Sequence, residues 1–240
     1  AIARIRLNRP DSLHAINGAL LNGLADALTA VTQSPGVQIV ILSGNGRAFC
    51  AGDDLKALKS KQAYQDYYAG LVDRLQEITR LIMFSDKIFV AVVNGWAVGG
   101  GLSWVLNADY SIFESDARGF FPELTLGLYM SGAVTALLPA TVGRQRAMNL
   151  FLTGEQFSAQ EAKAMGLASE VVAVGDGYAR AEELCQAMLA KSPETLSTLK
   201  RIPHVVPHEN IESALQAEKR CLEEELSKLN VAAQPKVLSY

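Results

Sequence analysis

Residues 87–109, KIFVAVVNGWAVGGGLSWVLNAD, constrain this chain more than any other stretch. Ile88 to Val93 is an unbroken apolar run, the pattern of a strand buried on both faces. Asn94-Gly95 signals a turn, and Gly99, Gly100 and Gly101 follow in succession. Leu102 to Leu106 then reads as the start of a buried helix. The order is strand, glycine loop, helix N-terminus. Glycine lets backbone come close to a ligand. The first N–H groups of a helix lack partners inside it and favour negative charge. Such a loop suits an anion, permanent or transient; it equally suits close packing of a helix on a strand. The common phosphate patterns are absent. Leu102-Ser103 stands where a P-loop needs Lys-Ser/Thr, and Trp104 stands where the dinucleotide fingerprint needs glycine.

The flanking sequence builds an α/β frame around this stretch. Ala1 to Leu7 alternates as a strand, and Asn8 to Ser12 breaks it. Leu20, Leu24, Leu28 and Val31 recur at helical spacing over Ala19 to Val31. Pro35-Gly36 stops that helix, Val37 to Leu42 is a second apolar strand, and Ser43 to Gly46 turns the chain. Strand, helix, strand implies a right-handed crossover and a parallel sheet. Residues 61–84 predict a long helix with Tyr64, Tyr68, Leu71, Leu75, Ile78 and Ile82 on one stripe. Tyr110 to Phe113 is a further short strand.

The second half is mostly helical. Ser131 to Leu138 and Gly143 to Leu152 carry apolar patterns. Ser158 with Glu161 fits a capping box and Gly166 its stop. A short strand at Glu170 to Val174 and a helix at Tyr178 to Leu189 follow. Ser192-Pro193 caps the next helix. Ile211 to Leu229 is a long charged helix with Ile211, Leu215, Leu222, Leu226 and Leu229 on a partial stripe. That stripe needs a surface to pack on, either the chain's own core or a neighbouring subunit.

Composition removes several function classes. With 240 residues, 49% hydrophobic and 20% charged, the chain buries a substantial core. A net charge of −3 gives no electrostatic basis for nucleic acid or anionic membrane. No apolar run reaches the roughly 18 residues of a spanning helix. Cys50, Cys185 and Cys221 are odd in number and widely spaced, as expected of reduced thiols in a cytoplasmic protein. His14, His204 and His208 show no metal-ligand spacing with them. No signal peptide is visible, and the chain begins inside an apparent strand, which leaves open whether its natural start is included.

A second loop, Ala48-Phe49-Cys50-Ala51-Gly52-Asp53-Asp54-Leu55, follows the second strand as the glycine loop follows the central one. Parallel strands bring such loops to one edge of the sheet. Two backbone N–H groups converging there on one oxygen would make an oxyanion hole.

These segments occur in a telling order. Asn8-Arg9-Pro10 with Ala15-Ile16-Asn17 comes first, then Phe49 to Leu55, then Asn94-Gly95 with Gly99-Gly100-Gly101. Phe121-Pro122-Glu123-Leu124 with Leu126-Gly127-Leu128 follows, and then Leu152 to Glu155 with Ser158 to Ala162 and Gly166-Leu167. Together they resemble the crotonase superfamily, the enoyl-CoA hydratase/isomerase proteins, over roughly residues 1–200.

The resemblance implies a spiral of ββα units over residues 1–175, carrying an acyl-CoA site. It implies a C-terminal helical trimerisation region over 176–240, with trimers able to stack as hexamers. Acyl-CoA thioesters would be the ligands, with coenzyme A part of the substrate and no tightly bound cofactor or metal. The oxyanion donors map onto the backbone N–H groups of Asp53 and Gly100. Coenzyme A would lie along the turn of Leu13, His14 and Ala15 and the loop of Ala51, Asp53, Asp54, Leu55 and Lys56. Asp54 would be structural in that loop.

Glu123 matches the family's catalytic glutamate. Read from its residues alone, Glu123 is either an acid/base whose pKa is raised by Phe120, Phe121 and Leu124, or a first-turn residue complementing a helix dipole. Ser103 stands where hydratases of the family carry a second glutamate. A single glutamate suffices for double-bond migration in an enoyl-CoA, the expected reaction. Hydration with Glu123 and a non-standard partner, such as the Asp53 carboxylate, is the alternative, and a non-catalytic CoA-thioester binder is a third. Ser103 or Cys50 as nucleophile, a decarboxylase aided by His204 or His208, and an RNA-binding role have thinner support.

Overall fold

The computed structural model describes residues 1–55, 61–201 and 207–228, with side chains described at 1–55, 71–200 and 207–224. In chain order the first half runs β1 (Ile2–Leu7), α1 (Gly18–Gln33), β2 (Ile39–Gly44), β3 (Ala48–Cys50) and α2 (Lys61–Phe84). It continues with β4 (Ile88–Val93), β5 (Trp96–Val98), α3 (Gly100–Asn107), β6 (Tyr110–Glu114) and β7 (Arg118–Phe120). The second half runs α4 (Val134–Val142), α5 (Arg144–Thr153), β8 (Phe157–Ser158), α6 (Ala159–Ala164) and β9 (Glu170–Val172). Three helices end it: α7 (Gly177–Leu189), α8 (Pro193–Arg201) and α9 (His208–Lys228).

Five strands form one parallel sheet in the order β1-β2-β4-β6-β9. Every side chain of β4 is buried, as the apolar run requires of a strand covered on both faces. Alternation sorts the side chains. Val40, Leu42, Phe89, Ala91 and Val93 meet α1 and α2 through Leu20, Leu24, Leu28, Leu75, Ile78 and Ile82. Ile39, Ile41, Val90 and Val92 meet Ala181 and Cys185 of α7 and Leu196 of α8. Lys200 of α8 is fastened beneath the sheet edge. Its ammonium donates to the carbonyls of Ile82 and Lys87, both at 2.6 Å, and pairs with Asp109 at 3.0 Å.

A second sheet, β3-β5-β7-β8, is parallel except for the antiparallel β7–β8 pair. Each of β2, β4 and β6 turns within a few residues into a strand of this second sheet, and α2 and α3 follow the first two pairs. This repeat is the expected ββα spiral. The second sheet corrects the sequence reading, which took Ala48 to Cys50 and Trp96 to Val98 as loop and turn. Strands of three residues are too short for an alternation to show.

The remaining expectations hold with small shifts. β2 spans 39–44 rather than 37–42, and β9 ends at Val172 rather than Val174. Ser158 and Glu161 form the capping box, and Gly166 sits at φ +80° just beyond α6. Leu71, Leu75, Ile78 and Ile82 are buried along α2; the Tyr64 and Tyr68 side chains lie outside the described residues. α9 packs on the chain's own core through Ile211, Leu215 and Leu222, while the side chains of Leu226 and Leu229 lie outside the description. No helix among the described residues is long and apolar enough to cross a membrane.

Candidate active site

The turn after β1 and the loop after β3 are zipped together. Ala51 donates its N–H to Leu13 O (2.9 Å), and the Cys50 thiol donates to His14 O (3.2 Å). Arg9 donates to Ala15 O and reaches the Asp54 carboxylate at 3.2 Å. Asp54 therefore holds the loop, as expected of it. Removing the carboxylate leaves the half-buried Arg9 without its anion, so Asp54→Ala is expected to cost about 1–2 kcal/mol, read as a lowered Tm. An unchanged Tm would show that the pair does not hold the loop.

Ile16 bridges Asp53 in parallel fashion. Its N–H donates to Gly52 O at 2.7 Å, and its carbonyl accepts from Asp54 N–H at 2.9 Å. In that pattern the paired residue keeps its own N–H on the opposite side, so the Asp53 N–H points away from Ile16. Gly100 begins α3, where the first N–H has no acceptor within the helix. Asp53 and Gly100 line one small cavity together with Ala51, Gly99, Glu123 and Leu128. Both expected oxyanion donors thus come to one place.

The glycines that admit this geometry are specific in what they exclude. Gly99 has φ +52°, and a Cβ there would lie 2.8 Å from Glu123 Oε1. Only glycine lets that carboxyl lie against the loop. A Cβ at Gly101 would lie 2.5 Å from Cys50 Cβ, so this triplet packs the helix closely on the strand.

Glu123 opens a short 3-10 turn after Pro122, and its side chain is 7% exposed. Burial pushes its carboxyl up to about 8, its own backbone N–H opposes this, and the carboxylates of Asp53 and Glu218 add to it. Its Oε2 is buried with no hydrogen-bond partner among the described residues. Phe120 and Phe121 are buried beside it, but Leu124 is 39% exposed, because a 3-10 turn throws the next residue outward. Leu126 and Leu128 line the cavity in its stead. The sequence reading had given those two no role.

Ser103 is 2% exposed and absent from the cavity lining. Its hydroxyl lies 3.0 Å from Ser131 O and 3.2 Å from Gly99 O. A Cβ on Gly132 would lie 2.7 Å from Ser103 Cβ, so the Gly132 backbone is packed against this serine. Among the described residues the Ser103 hydroxyl bonds only to backbone carbonyls and to no base, so nothing described supports it as a nucleophile. Cys50 is fully buried, and burial pushes its thiol up to about 12, so it packs rather than reacts.

His14 is fully buried, and burial lowers its pKa. Its imidazole is neutral at pH 7 and turned inward, so the 13–15 turn can offer a coenzyme only backbone and the flanking side chains. Leu13 and His14 both have positive φ, 51° and 56°, which keeps the turn tight. His208 stacks on Phe84 at the start of α9 and does not line the cavity; His204 and Lys56 lie outside the described residues. No cluster of metal-ligating residues occurs among the described residues. A larger cavity of about 530 Å³ lies between α3, α4, α7 and α8, but none of the site residues lines it.

The family model for enoyl-CoA hydratase/isomerase matches residues 1–236. The chain is 32% identical to the 2,3-dehydroadipyl-CoA hydratase of Escherichia coli, covering 82% of this chain and 76% of that protein. It is 32% identical to the crotonyl-CoA hydratase of Syntrophomonas wolfei, covering 79% and 73%. A solved enoyl-CoA hydratase/isomerase from Mycobacterium paratuberculosis superposes with a TM-score of 0.82 at 30% identity, covering 95% and 94%. Motif order, ββα spiral and these likenesses agree: the chain is an enzyme of the enoyl-CoA hydratase/isomerase family, the crotonase superfamily.

Proposed function

We propose that this enzyme moves the double bond of an enoyl-CoA from the 3 to the 2 position. The Glu123 carboxylate takes a proton from C2 of the thioester, and the electron pair spreads into a dienolate. The thioester oxygen gains charge, and the N–H groups of Asp53 and Gly100 hold it; one such donor contributes about 3–4 kcal/mol to lowering a barrier. The Glu123 carboxyl then returns the proton to C4. Coenzyme A lies along the 13–15 turn and the 51–55 loop and leaves unchanged.

The observation that carries this reading is Ser103. The position where hydratases of the family hold a second glutamate has a serine turned to Gly99 O and Ser131 O and shut off from the cavity. One glutamate moves a proton between two carbons; hydration as commonly drawn uses two to handle one water. The hydratase names of the relatives favour hydration as the second reading. In it the Asp53 carboxylate, beside the same cavity, would be the partner. Incubation with 3-hexenoyl-CoA and, separately, 2-hexenoyl-CoA decides between them. Interconversion without mass gain supports isomerisation, whereas addition of one water to the 2-enoyl thioester overturns it.

We extend the reading to assembly and location. A trimer or a stacked pair of trimers is proposed from the family likeness alone. The free thiols of Cys50, Cys185 and Cys221 support a reducing, cytoplasmic setting.

A further inference from the structure

α9 reaches the active site at two places. Leu128, which lines the cavity at Glu123, packs with Leu222 of α9 and Val72 of α2 in one apolar cluster. One turn earlier in α9 stands Glu218, a buried carboxylate. It accepts from Ala133 N–H (2.9 Å), Thr135 N–H (3.0 Å) and the Thr135 hydroxyl (2.7 Å), and so caps the start of α4. Ala133, just before α4, is held at φ +62°. That left-handed conformation is costly for alanine and lasts only where the surroundings impose it.

The same short segment is held from its other side by α3. The Ser103 hydroxyl lies 3.0 Å from Ser131 O, and the Asn107 side-chain amide donates to Gly132 O at 2.9 Å. Residues 131–135 thus form a clasp. The carbonyls of Ser131 and Gly132 take hydrogen bonds from α3, and the N–H groups of Ala133 and Thr135 give theirs to α9. Ser103, Asn107 and Glu218 are all buried, where a hydrogen bond left unmade is costly. α3 is the helix that begins at Gly100.

We propose that Glu218 is a positioning residue of the active site. It keeps Ala133 left-handed, which sets the Ser131 and Gly132 carbonyls where Ser103 and Asn107 fasten α3, and so aims the Gly100 N–H at the thioester oxygen. The inference rests on the acyl-CoA reading above. An enolate oxygen carries more charge than the thioester oxygen it comes from, so a misaimed donor lowers kcat more than it weakens binding.

Glu218→Gln tests this, because its amide keeps one acceptor and turns an NH₂ group toward a backbone donor. Turnover is read on whichever of 3-hexenoyl-CoA and 2-hexenoyl-CoA the unaltered enzyme converts, so the result does not depend on isomerisation being the reaction. It is read at pH 9, above the value of about 8 for Glu123, where the charge lost from Glu218 no longer changes the ionisation of Glu123. kcat is expected to fall about tenfold or more, with hexanoyl-CoA affinity within roughly threefold. Adding Ala133→Gly should restore kcat by roughly threefold or more, since glycine takes a positive φ unaided. Arg80→Met breaks the Arg80–Glu212 pair (both contacts 2.8 Å), which ties α9 to α2, and should lower Tm with kcat within about twofold. An unchanged kcat in Glu218→Gln overturns the proposal. So does the lack of rescue by glycine, or an equal kcat loss in Arg80→Met, which would mean that any loosening of α9 suffices. Ser103→Ala opens the clasp from the α3 side and serves if Glu218→Gln does not fold: kcat about threefold lower at unchanged affinity supports the proposal, and an unchanged kcat overturns it. Should the unaltered enzyme convert neither thioester, the reaction reading falls and amide hydrogen exchange decides the clasp. Slowing of exchange at residues 99–107 by hexanoyl-CoA, present in the unaltered enzyme and lost in Glu218→Gln, supports it; any other pattern overturns it.

Discussion

Glu123→Gln is expected to lower turnover by at least about 10³-fold while raising the melting temperature, an opposite movement of activity and stability. The activity loss follows because glutamine neither takes nor returns a proton. The stability gain follows from burial. Glu123 sits at about 8 when folded, against about 4.5 for an ordinary glutamate. Between those values the unfolded chain has released a proton that the folded chain keeps, so stability falls as pH rises from about 4.5 to about 8 and is level beyond. At pH 7 the cost is at most about 3 kcal/mol, and an amide of the same shape removes it. A gain of about 1–3 kcal/mol in a chain this size corresponds to roughly 3–8 °C in Tm. Binding of a saturated acyl-CoA should stay within a few-fold. A glutamine variant that kept a tenth of the activity would remove Glu123 from the chemistry. One that melted at a lower temperature would show that its carboxyl is better accommodated than its burial indicates.

The same raised pKa sets the pH profile. The base that opens the isomerisation must be ionised in the free enzyme. kcat/KM should therefore climb about tenfold per pH unit below about 8 and level off above it. A profile flat from pH 6 to 9 would mean that the group losing its proton is not the buried Glu123.

Much of this architecture is legible in the sequence because long patterned segments carry their own evidence. The apolar run of β4, the stripes of α1 and α2 and the capping box of α6 each state a period or a cap and were found where expected. The second sheet was not legible: β3, β5 and β7 have three residues each, and their pairing is decided by tertiary contact. The site divides in the same way. Glycines, Glu123 and Asp54 are marked by residue type and order. What each side chain faces is not. Nothing local says that His14 is buried or that Leu124 points outward. Nothing local says that Leu222, about a hundred residues from Glu123, backs Leu128. Only Gly99 left a signal of its approach to Glu123, as the first of three glycines where a packing contact alone would need fewer.

Gly100→Pro is expected to reduce kcat/KM by about 10²–10³-fold with the fold intact. The reasoning turns on where Gly100 stands. As the first residue of α3 it gives no N–H to the helix ladder, so proline removes a hydrogen-bond donor that the helix does not use. The preceding Gly99, at φ 52° and ψ −123°, is a conformation open to glycine, and its N–H to Phe120 O (3.1 Å) stays in place. A Cβ at position 100 would lie 2.9 Å from Ile16 Cδ1, the end of a side chain that can swing aside. Gly100→Ala carries that same Cβ but keeps the N–H, and is the control for crowding; it should lose far less activity than the proline variant. The proline ring also puts a carbon where the thioester oxygen would rest, so KM as well as kcat should suffer. Equal activity of the alanine and proline variants would mean that the Gly100 N–H does not stabilise the enolate. The helix N-terminus would then serve packing alone, the other reading that three consecutive glycines allow.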